Sequence, residues 1–390
     1  MFSVRSSVVL VVLAAFGVSP AVAASGSSPT RAPARTPHWT ITDLGFVGNA
    51  SAINARGQVV GTNGRTRHAF LWQAGRLTDL GTLGGRDSGA SGINDRGQVI
   101  GTSLTAKPAG THAFLWQSGR MRDLGTLGGR SSRPRGINER GEVVGESVTA
   151  GGRLHAFLWK SGRMIDLGTL GGSMSEALAV DDRGRVVGSS STAGGAKHGF
   201  LWENGKMTDL GTLGPRYVAS GAVDITGAGA VVGTSFTSTV TQAGRQGHAF
   251  LWQRGRMTDL GTLGPSYPSS AAVAANAGGL VVGSSRSANG LPRPVSWRNG
   301  RIGALATLSR GPAEVVAVDA RGWIVGASVP ARGSSYHAVV WRAGRITDLG
   351  TLGGAESDPA GLDDRGHVVG VAATTSGALH AVLWTLAADG

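Results

Sequence analysis

Short apolar runs, separated by small and polar residues, dominate the chain between residues 39 and 384. In the unit at residues 119–159, a short alternating run at 120–125 is followed by a Gly-, Ser- and Arg-rich segment at 126–135, which we predict to be a loop. Three further runs follow at residues 136–138, 142–145 and 155–159. No segment keeps the apolar period of an amphipathic helix, so each unit is predicted to be a meander of four short strands.

The segments between these runs indicate two tight turns and two longer loops. Residues 139–141 end in Gly141, and residues 203–206 contain the pair Asn204-Gly205, which is typical of a type I′ hairpin turn. The apolar runs are nearly continuous rather than alternating, which predicts strands covered on both faces. A four-stranded sheet packed between copies of itself is a β-propeller blade.

The unit repeats about every 43 to 50 residues, and three markers each count eight copies. The strand His-Ala-Phe-Leu-Trp, or a variant of it, begins at His68, His112, His155, His198, His248, Arg293, His337 and His380. The Asp-Leu-Gly run begins at Asp43, Asp79, Asp123, Asp166, Asp209, Asp259 and Asp348, with Ala304 at the remaining place. The turn after the Ile-Asn run is marked by Asn54, Asn94, Asn138, Asp181, Asp224, Asn276, Asp319 and Asp363. We therefore predict an all-β, eight-bladed β-propeller of four-stranded antiparallel blades, with seven blades as the alternative if the degenerate unit at residues 293–311 is not a full blade.

The phase of the repeat predicts how the ring closes. The repetitive region opens with an Asp-Leu-Gly strand at residues 39–45 and ends with a Trp strand at residues 380–384. The N-terminal strand lacks its blade, and the C-terminal blade lacks its fourth strand. Pairing the two removes both open sheet edges, so we expect a closure that joins the ends of the chain.

The N-terminal segment predicts export. Arg5 supplies a positive charge, residues 8–18 are apolar, and residues 21–23 form a small-x-small cleavage site, so residues 1–23 are interpreted as a signal peptide. Residues 24–38 are rich in Ser, Pro and Arg and are predicted to be a disordered linker, and residues 39–390 to be the propeller. We expect a secreted or periplasmic monomer with no transmembrane segment in the mature chain.

Taken together, the His-Ala-Phe strands, the Asp-Leu-Gly-Thr-Leu-Gly-Gly turns at residues 79–85, 123–129 and 166–172, and the signal peptide resemble the HAF-repeat family of probable extracellular bacterial repeat proteins. The resemblance covers about 345 residues by count of the repeats. It implies export and a repeat scaffold, and it carries over no catalytic residue. The unit at Arg293 departs from the pattern, since Pro294 stands inside a strand.

Composition and charge limit the chemistry. The chain has no Cys, which excludes disulfides and thiolate metal sites. Its net charge of +13 comes mostly from Arg at fixed turn positions, multiplied by copy number, so a nucleic-acid partner is not expected. The repeated His, Asp and Trp residues are assigned structural roles: hydrogen bonds between strands, caps of backbone N–H groups, and core packing. No nucleophile elbow, zinc-binding or phosphate-loop motif is present in the sequence, and no cofactor or metal is expected.

Function in a repeat scaffold is expected where the copies differ. The loop between the second and third strands varies most in length, and it emerges on the same rim as the loop between units, so this rim is the candidate binding face. The candidate ligand-binding residues of the interblade loops are Arg86, Asp87, Arg130, Arg133, Arg135, Glu176, Arg216, Tyr217, Tyr267, Glu314, Glu356 and Asp358.

Three functions fit these patterns. The favoured one is an exported binding scaffold whose partner is a protein, a peptide or an anionic envelope polymer. The first alternative is a hydrolase or lyase with a site at the mouth of the central channel, which requires two or more acid or base groups converging in a pocket. The second alternative is a structural envelope component.

Overall fold

The computed structural model describes residues 38–106, 109–241 and 244–387. The predicted signal peptide lies outside the described residues, as does the predicted linker except for His38. The carbonyl of His38 accepts a hydrogen bond from the N–H of Ala387 at 2.8 Å, so His38 is already held against the folded ring. Within the described ranges, no helix is long and apolar enough to span a membrane.

The described residues form 31 strands arranged as eight four-stranded antiparallel blades, which confirms the predicted all-β, eight-bladed propeller. Blade 1 is formed by the second half of β1 (Trp39–Ile53) with β2 (Val59–Asn63), β3 (Ala69–Gln73) and β4 (Arg76–Asp79), and blade 2 by β5 (Gly84–Ile93), β6 (Val99–Thr105), β7 (Thr111–Gln117) and β8 (Arg120–Asp123). Blade 3 is formed by β9 (Gly128–Ile137), β10 (Val143–Thr149), β11 (Leu154–Lys160) and β12 (Arg163–Asp166), and blade 4 by β13 (Gly171–Val180), β14 (Val186–Thr192), β15 (Lys197–Glu203) and β16 (Lys206–Asp209). Blade 5 is formed by β17 (Tyr217–Ile225), β18 (Val231–Thr241), β19 (Gly244–Gln253) and β20 (Arg256–Asp259), and blade 6 by β21 (Ser269–Ala275), β22 (Val281–Arg286), β23 (Pro292–Arg298) and β24 (Arg301–Ala304). Blade 7 is formed by β25 (Ala313–Val318), β26 (Ile324–Ser328), β27 (His337–Arg342) and β28 (Arg345–Asp348). Blade 8 is formed by β29 (Gly353–Leu362), β30 (His367–Thr374) and β31 (Leu379–Leu386) with the first half of β1.

Each blade runs from the centre of the ring outwards. The first strands of neighbouring blades contact one another around the ring, as β5 contacts β9 and β29 contacts β1, and the four-residue fourth strands form the largely exposed periphery. The interblade loop and the loop between the second and third strands meet at one rim, where Leu83 bridges to Thr105 and Leu127 to Thr149. We call this the variable rim, and we call the opposite edge, which carries the two tight turns of each blade, the turn rim.

The ring closes as the phase of the repeat predicts. The first half of β1 pairs with β31, with Ile41 opposite Trp384 and Asp43 opposite Val382. The second half of β1 pairs with β2 as the innermost strand of blade 1. One strand therefore serves two blades and completes both.

A bulge in each first strand explains the recurring Val-Val-Gly sequence of the second strands. In blade 3 the register shifts between Val144 and Gly145, so the innermost strand bends towards its partner. A Cβ added to Gly145 would overlap the carbonyl oxygen of Arg133, and the corresponding Gly101 meets the carbonyl of Gly89 in the same way. Glycine is required there because the backbones approach too closely for any side chain.

The second tight turn of the blades has the predicted type I′ geometry. At Asn204 and Gly205 the φ angles are +51° and +82°, and the equivalent pair Ser161 and Gly162 has +51° and +83°. Both central residues lie in the left-handed region, as this turn demands.

The cores of the ring lie between blades, not within them. Phe114 of blade 2 is fully buried and packs with Val60 and Leu71 of blade 1. Ala69, Phe70 and Leu71 are all buried, which confirms that these strands are covered on both faces. Each blade supplies apolar faces to two neighbours, so none can bury its surface alone.

The degenerate unit is a full blade, so the eight-blade count holds. Pro294 pairs with Ser284 inside β23 despite its missing N–H. In blade 2 the equivalent N–H, from Ala113, donates to the hydroxyl of Ser132 in the next blade at 2.9 Å. Where Pro294 removes that donor, the next blade carries Ala313 instead of serine.

One predicted marker is wrong by two positions. Asp224 does not mark the turn of blade 5; Thr226 does, since its N–H donates to Ala230 and its carbonyl accepts from Gly229. The register is fixed by Ile225, which pairs with Val231 and must point into the core. Asp224 consequently lies one place earlier in the strand, where it is 1% exposed.

Candidate functional site

Most of the candidate residues lie on strands rather than in loops. The Gly-rich segments predicted as interblade loops form the beginnings of the long innermost strands. The candidates on these strands are Arg86 and Asp87 in β5, Arg130, Arg133 and Arg135 in β9, Glu176 in β13, Tyr217 in β17, Glu314 in β25, and Glu356 and Asp358 in β29. Only Arg216 and Tyr267 lie between strands. The sequence missed these strand beginnings because glycine-rich runs lack β-propensity, whereas here pairing with the second strand determines the conformation.

Several candidate charges are paired within or between blades. Asp87 accepts a hydrogen bond from Arg67 of blade 1 at 2.7 Å. Arg135 forms a two-bond pair with Glu146, at 3.1 Å and 2.9 Å, and both side chains are largely buried. Lys197 donates to Glu176 at 2.6 Å. These three ion pairs reduce the charge that the rim can offer to a ligand.

The candidates Arg216 and Tyr217 line a pocket between blades 5 and 6. It has a volume of about 440 Å³ and is closed on the other side by the end of β18 and by His248 and Pro268. The guanidinium of Arg216 lies 5.1 Å from the centre of the Tyr217 ring and donates to its hydroxyl at 3.2 Å. The Tyr217 ring in turn contacts His248 edge-on, with the ring centres 5.8 Å apart.

The chemistry of this pocket combines a cation, an aromatic ring and an imidazole. Nδ1 of His248 donates to Asp259 at 2.8 Å, and Asp259 also accepts from the N–H of Gly261 at 2.7 Å. Burial would raise the pKa of Asp259, but the hydrogen bonds from His248 and Gly261 and the charges of His248 and Arg216 outweigh it and lower that pKa. The site therefore holds Asp259 ionised, and it presents Arg216 as the exposed cation at its mouth.

The His–Asp pair of the pocket is one of seven. Each third strand except that of blade 6 donates a histidine Nδ1–H to the aspartate of the adjacent fourth strand, as His112 does to Asp123 at 2.8 Å. The same aspartate accepts the N–H of the glycine two positions later, as Asp123 does from Gly125 at 2.7 Å. These bonds confirm the structural roles assigned to the repeated His and Asp. The constant spacing of the two residues was a signal that could have identified the partner.

The degenerate blade supports this assignment, because it loses both partners together. Arg293 stands at the histidine position and Ala304 at the aspartate position of blade 6. Within the residues that the structure describes, no group of three or more His, Cys, Asp or Glu side chains could hold a metal ion.

Exposed apolar side chains gather on the variable rim. Of the eight large apolar side chains that are exposed in the described ranges, six lie there: Val47, Met174, Val218, Val240, Leu291 and Leu379. The other two, Leu77 and Ile165, lie on outer strands. Val240, at 67% exposure the most accessible of the eight, lies at the end of the elongated β18, and Val218 lines the pocket of Arg216. These six side chains are spread over several blades, and Val218 and Val240 lie in the same one.

No family model and no curated protein matches this sequence. Solved structures are similar in fold. The dipeptidyl peptidase 4 of Porphyromonas gingivalis matches with a TM-score of 0.57 and 10% identity, over 87% of this chain and 58% of that one. A puromycin-hydrolysing peptidase of Mycobacterium tuberculosis matches with a TM-score of 0.44 and 13% identity, over 74% of this chain and 52% of that one. YCF48 bound to D1 peptide matches with a TM-score of 0.45 and 11% identity, over 91% of this chain and 96% of that one. The chain thus spans little more than half the length of either peptidase, and at these identities the likeness concerns the fold alone.

Proposed function

We propose that this protein is an exported, non-enzymatic β-propeller that binds a protein or peptide partner through its variable rim. The observation that carries the proposal is the placement of six of the eight exposed large apolar side chains on the rim where the repeats differ. Exposed apolar surface marks an interaction site where it forms a contiguous patch. The signal-peptide pattern of residues 1–23 supports export.

The pocket of Arg216 and Tyr217 is the proposed anchor point of that partner. Arginine and tyrosine are enriched among the residues that dominate protein interfaces. Arg216 is exposed whereas Tyr217 is buried, so the pair offers a cation held in a fixed direction by an aromatic ring. A carboxylate of the partner would fit this position, with the flanking Val218 covering apolar groups beside it.

Binding is favoured over hydrolysis because His248, the imidazole of the pocket, forms a His–Asp pair that recurs in six other blades. His248 and Asp259 make the same bond as His155 and Asp166, which lie outside the pocket. A pair that recurs wherever the third and fourth strands meet serves strand pairing. It is not an acid–base group built for one reaction.

The proposal is tested by selecting displayed random peptides on the immobilised protein. The affinity of the selected peptides is then measured for the wild type, for a triple variant of the rim and for a double control variant. The rim variant carries Val218→Ser, Val240→Ser and Leu291→Ser. The control carries Leu77→Ser and Ile165→Ser, which removes exposed apolar groups from the outer strands. We expect the selected peptides to lose about tenfold or more in affinity for the rim variant and to bind the control like the wild type. Failure to enrich any peptide, or equal losses in both variants, would refute the proposal.

A further inference from the structure

A groove of about 1100 Å³ opens at the turn rim between blades 2 and 3, on the opposite side from the variable rim. Its floor is formed by Leu115 and Trp159, and its walls by β8 and by the two tight turns of blade 3. It is not part of the proposed function above.

The carboxylates of the groove are already engaged, and two of its cations are not. Glu142, whose side chain is 5% exposed, accepts from Arg140 at 2.8 Å and contacts Lys160 at 2.9 Å. Burial would raise the pKa of Glu142, but its bonds from Lys160, Asn138 and Arg140 prevail and lower it.

Asp123 is held by His112. Arg120 and Arg122 form no ion pair with any residue that the structure describes, and both are exposed. The groove thus has a net excess of positive charge without internal compensation.

Arg122 is peculiar to this blade. It pairs across the sheet with Leu115, and the position that it occupies is filled in the other blades by Thr42, Thr78, Ile165, Thr208, Thr258, Gly303 and Thr347. The guanidinium of Arg122 lies 5.2 Å from the centre of the Trp159 ring across the groove. Strand pairing does not need a cation at this place, since seven sister strands do without one.

The equivalent space between blades 7 and 8 is filled by aromatic rings. Trp323 stands at the position of Gln98, and Trp39 at the position of Gly162. Their ring centres are 6.2 Å apart, and Arg342 covers Trp323 at 4.5 Å. In the groove between blades 2 and 3, glutamine and glycine stand where the space between blades 7 and 8 has these two indoles.

The strand that carries the free cations also has a free edge. β8 pairs with β7 and with no other strand among the described residues. Arg120 and Arg122 are two residues apart and therefore lie on one face, separated by about 7 Å along the strand. An extended peptide running along β8 presents every second side chain at the same spacing, and its backbone can pair with the open edge.

We propose that this groove binds an extended acidic peptide segment whose carboxylates, at alternate positions, pair with Arg120 and Arg122. The groove offers two cations for the carboxylates beside an apolar floor of Leu115 and Trp159. Trp159 is only 7% exposed and is covered by Arg122, so it offers no open stacking face for a sugar ring.

The test uses calorimetric titration at low salt with three capped hexapeptides: one with Glu at positions 2 and 4, its isomer with Glu at positions 2 and 3, and its Gln analogue. The test variant is Arg122→Thr, which installs the residue most sister strands carry. The matched control is Arg256→Thr, which removes the same charge from the fourth strand of blade 5.

We expect the alternating peptide to bind the wild type about tenfold more tightly than either other peptide, and Arg122→Thr to abolish that advantage while Arg256→Thr keeps it. Equal binding of the two Glu isomers, or equal losses in both variants, would show non-specific attraction and overturn the proposal. Dextran sulfate is titrated in parallel as a polyanion without carboxylates, and its tight binding together with no binding of the alternating peptide would overturn the proposal as well. Urea unfolding of both variants establishes that each is folded.

Discussion

His380 and Asp43 are 337 positions apart in the chain, yet Nδ1 of the histidine lies 2.9 Å from Oδ2 of the aspartate. Six other blades make the same bond between residues only 11 positions apart. The ring is therefore sealed by the same interaction that joins the outer strands of an ordinary blade.

This equivalence allows the seam to be compared with an interior blade. Asp43→Ala and Asp123→Ala each remove one His–Asp hydrogen bond and one glycine cap, so each should lower the free energy of unfolding by about 1 kcal/mol, given the partial exposure of the pairs. Asp43→Ala should also unfold faster, because it weakens the pairing of β1 with β31 that closes the ring. Stopped-flow unfolding in urea, followed by tryptophan fluorescence, compares the two. Equal unfolding rates would mean that the seam does not limit opening.

The type I′ turns predict a stabilising substitution. Ser161 adopts a φ of +51°, a conformation that asparagine tolerates better than serine. We expect Ser161→Asn to raise the free energy of unfolding by about 0.5 kcal/mol and the reverse change, Asn204→Ser, to lower it by a similar amount. Equilibrium unfolding in urea measures both. A loss of stability in Ser161→Asn would contradict the turn assignment.

A glycine lies opposite the bulge of each first strand, and replacing it should cause a severe loss of stability. A Cβ at Gly145 would overlap the carbonyl oxygen of Arg133, whereas one at Gly151 would have Thr149 Oγ1 at 3.9 Å as its nearest neighbour. Gly145→Ala should cost about 3 kcal/mol of unfolding free energy, and Gly151→Ala less than about 0.5 kcal/mol. Thermal unfolding of the two variants distinguishes them. Similar melting temperatures would show that the bulge can relax at little cost.

The buried carboxyl of Asp224 predicts a pH dependence. It accepts hydrogen bonds from the N–H groups of Ile225 and Ala275, and burial raises its pKa from 3.8 to about 6. The folded state holds the proton more tightly than the unfolded chain, so the stabilising effect of protonation is fully present below pH 3.8. It is lost as pH rises to about 6, by roughly 3 kcal/mol in total.

The comparison for this prediction is Asp224→Ala, because Ala179 and Ala274 occupy the same position in blades 4 and 6. The free energy of unfolding of the wild type, minus that of the variant, should decrease between pH 4 and pH 7. Urea titrations at several pH values measure the difference. A constant difference across this range would show that Asp224 does not titrate with folding.

Pro294 and Ala313 occur together in neighbouring blades, which predicts that substitutions at the two positions have coupled effects on stability. Pro294→Ala restores an N–H without an acceptor, and Ala313→Ser supplies a hydroxyl without its usual donor. We expect the double variant to be more stable than the sum of the single effects by about 1 kcal/mol, because the pair recreates the bond of Ala113 to Ser132. A double-mutant cycle measures the coupling, and additivity of the two changes would contradict the proposed exchange.

The architecture could be predicted from the sequence because the pattern that specifies one blade is repeated along the chain. The apolar runs, the turn at Asn204-Gly205 and the phase of the repeats each recur or agree with the others, so a local misreading does not alter the blade count. Asp224 illustrates such a misreading: the pairing of Ile225 with Val231 places Asp224 at a buried position of the strand, two residues before the turn.

The candidate site could be predicted only as a rim. Val240 and Leu291 expose apolar groups that no sequence pattern distinguishes from buried ones, because exposure depends on how far a loop projects from the ring. The sequence indicates Arg216 and Tyr217 only as members of an interblade loop, whereas the contact of Tyr217 with His248 depends on the folding of blade 5. The groove of Arg122 has no signal in the variable loops, because the substitution that distinguishes it lies within a strand.

The sharing of β1 between two blades has a consequence for assembly. Neither blade 1 nor blade 8 is complete until residues near the two ends of the folded region have met, so every intermediate short of that contact carries open strands at two places. The last step joins segments of very large sequence separation and is entropically the most costly. A chain interrupted before β31 would therefore keep unpaired sheet edges exposed to other chains. The ring can close only after β31 has been synthesised.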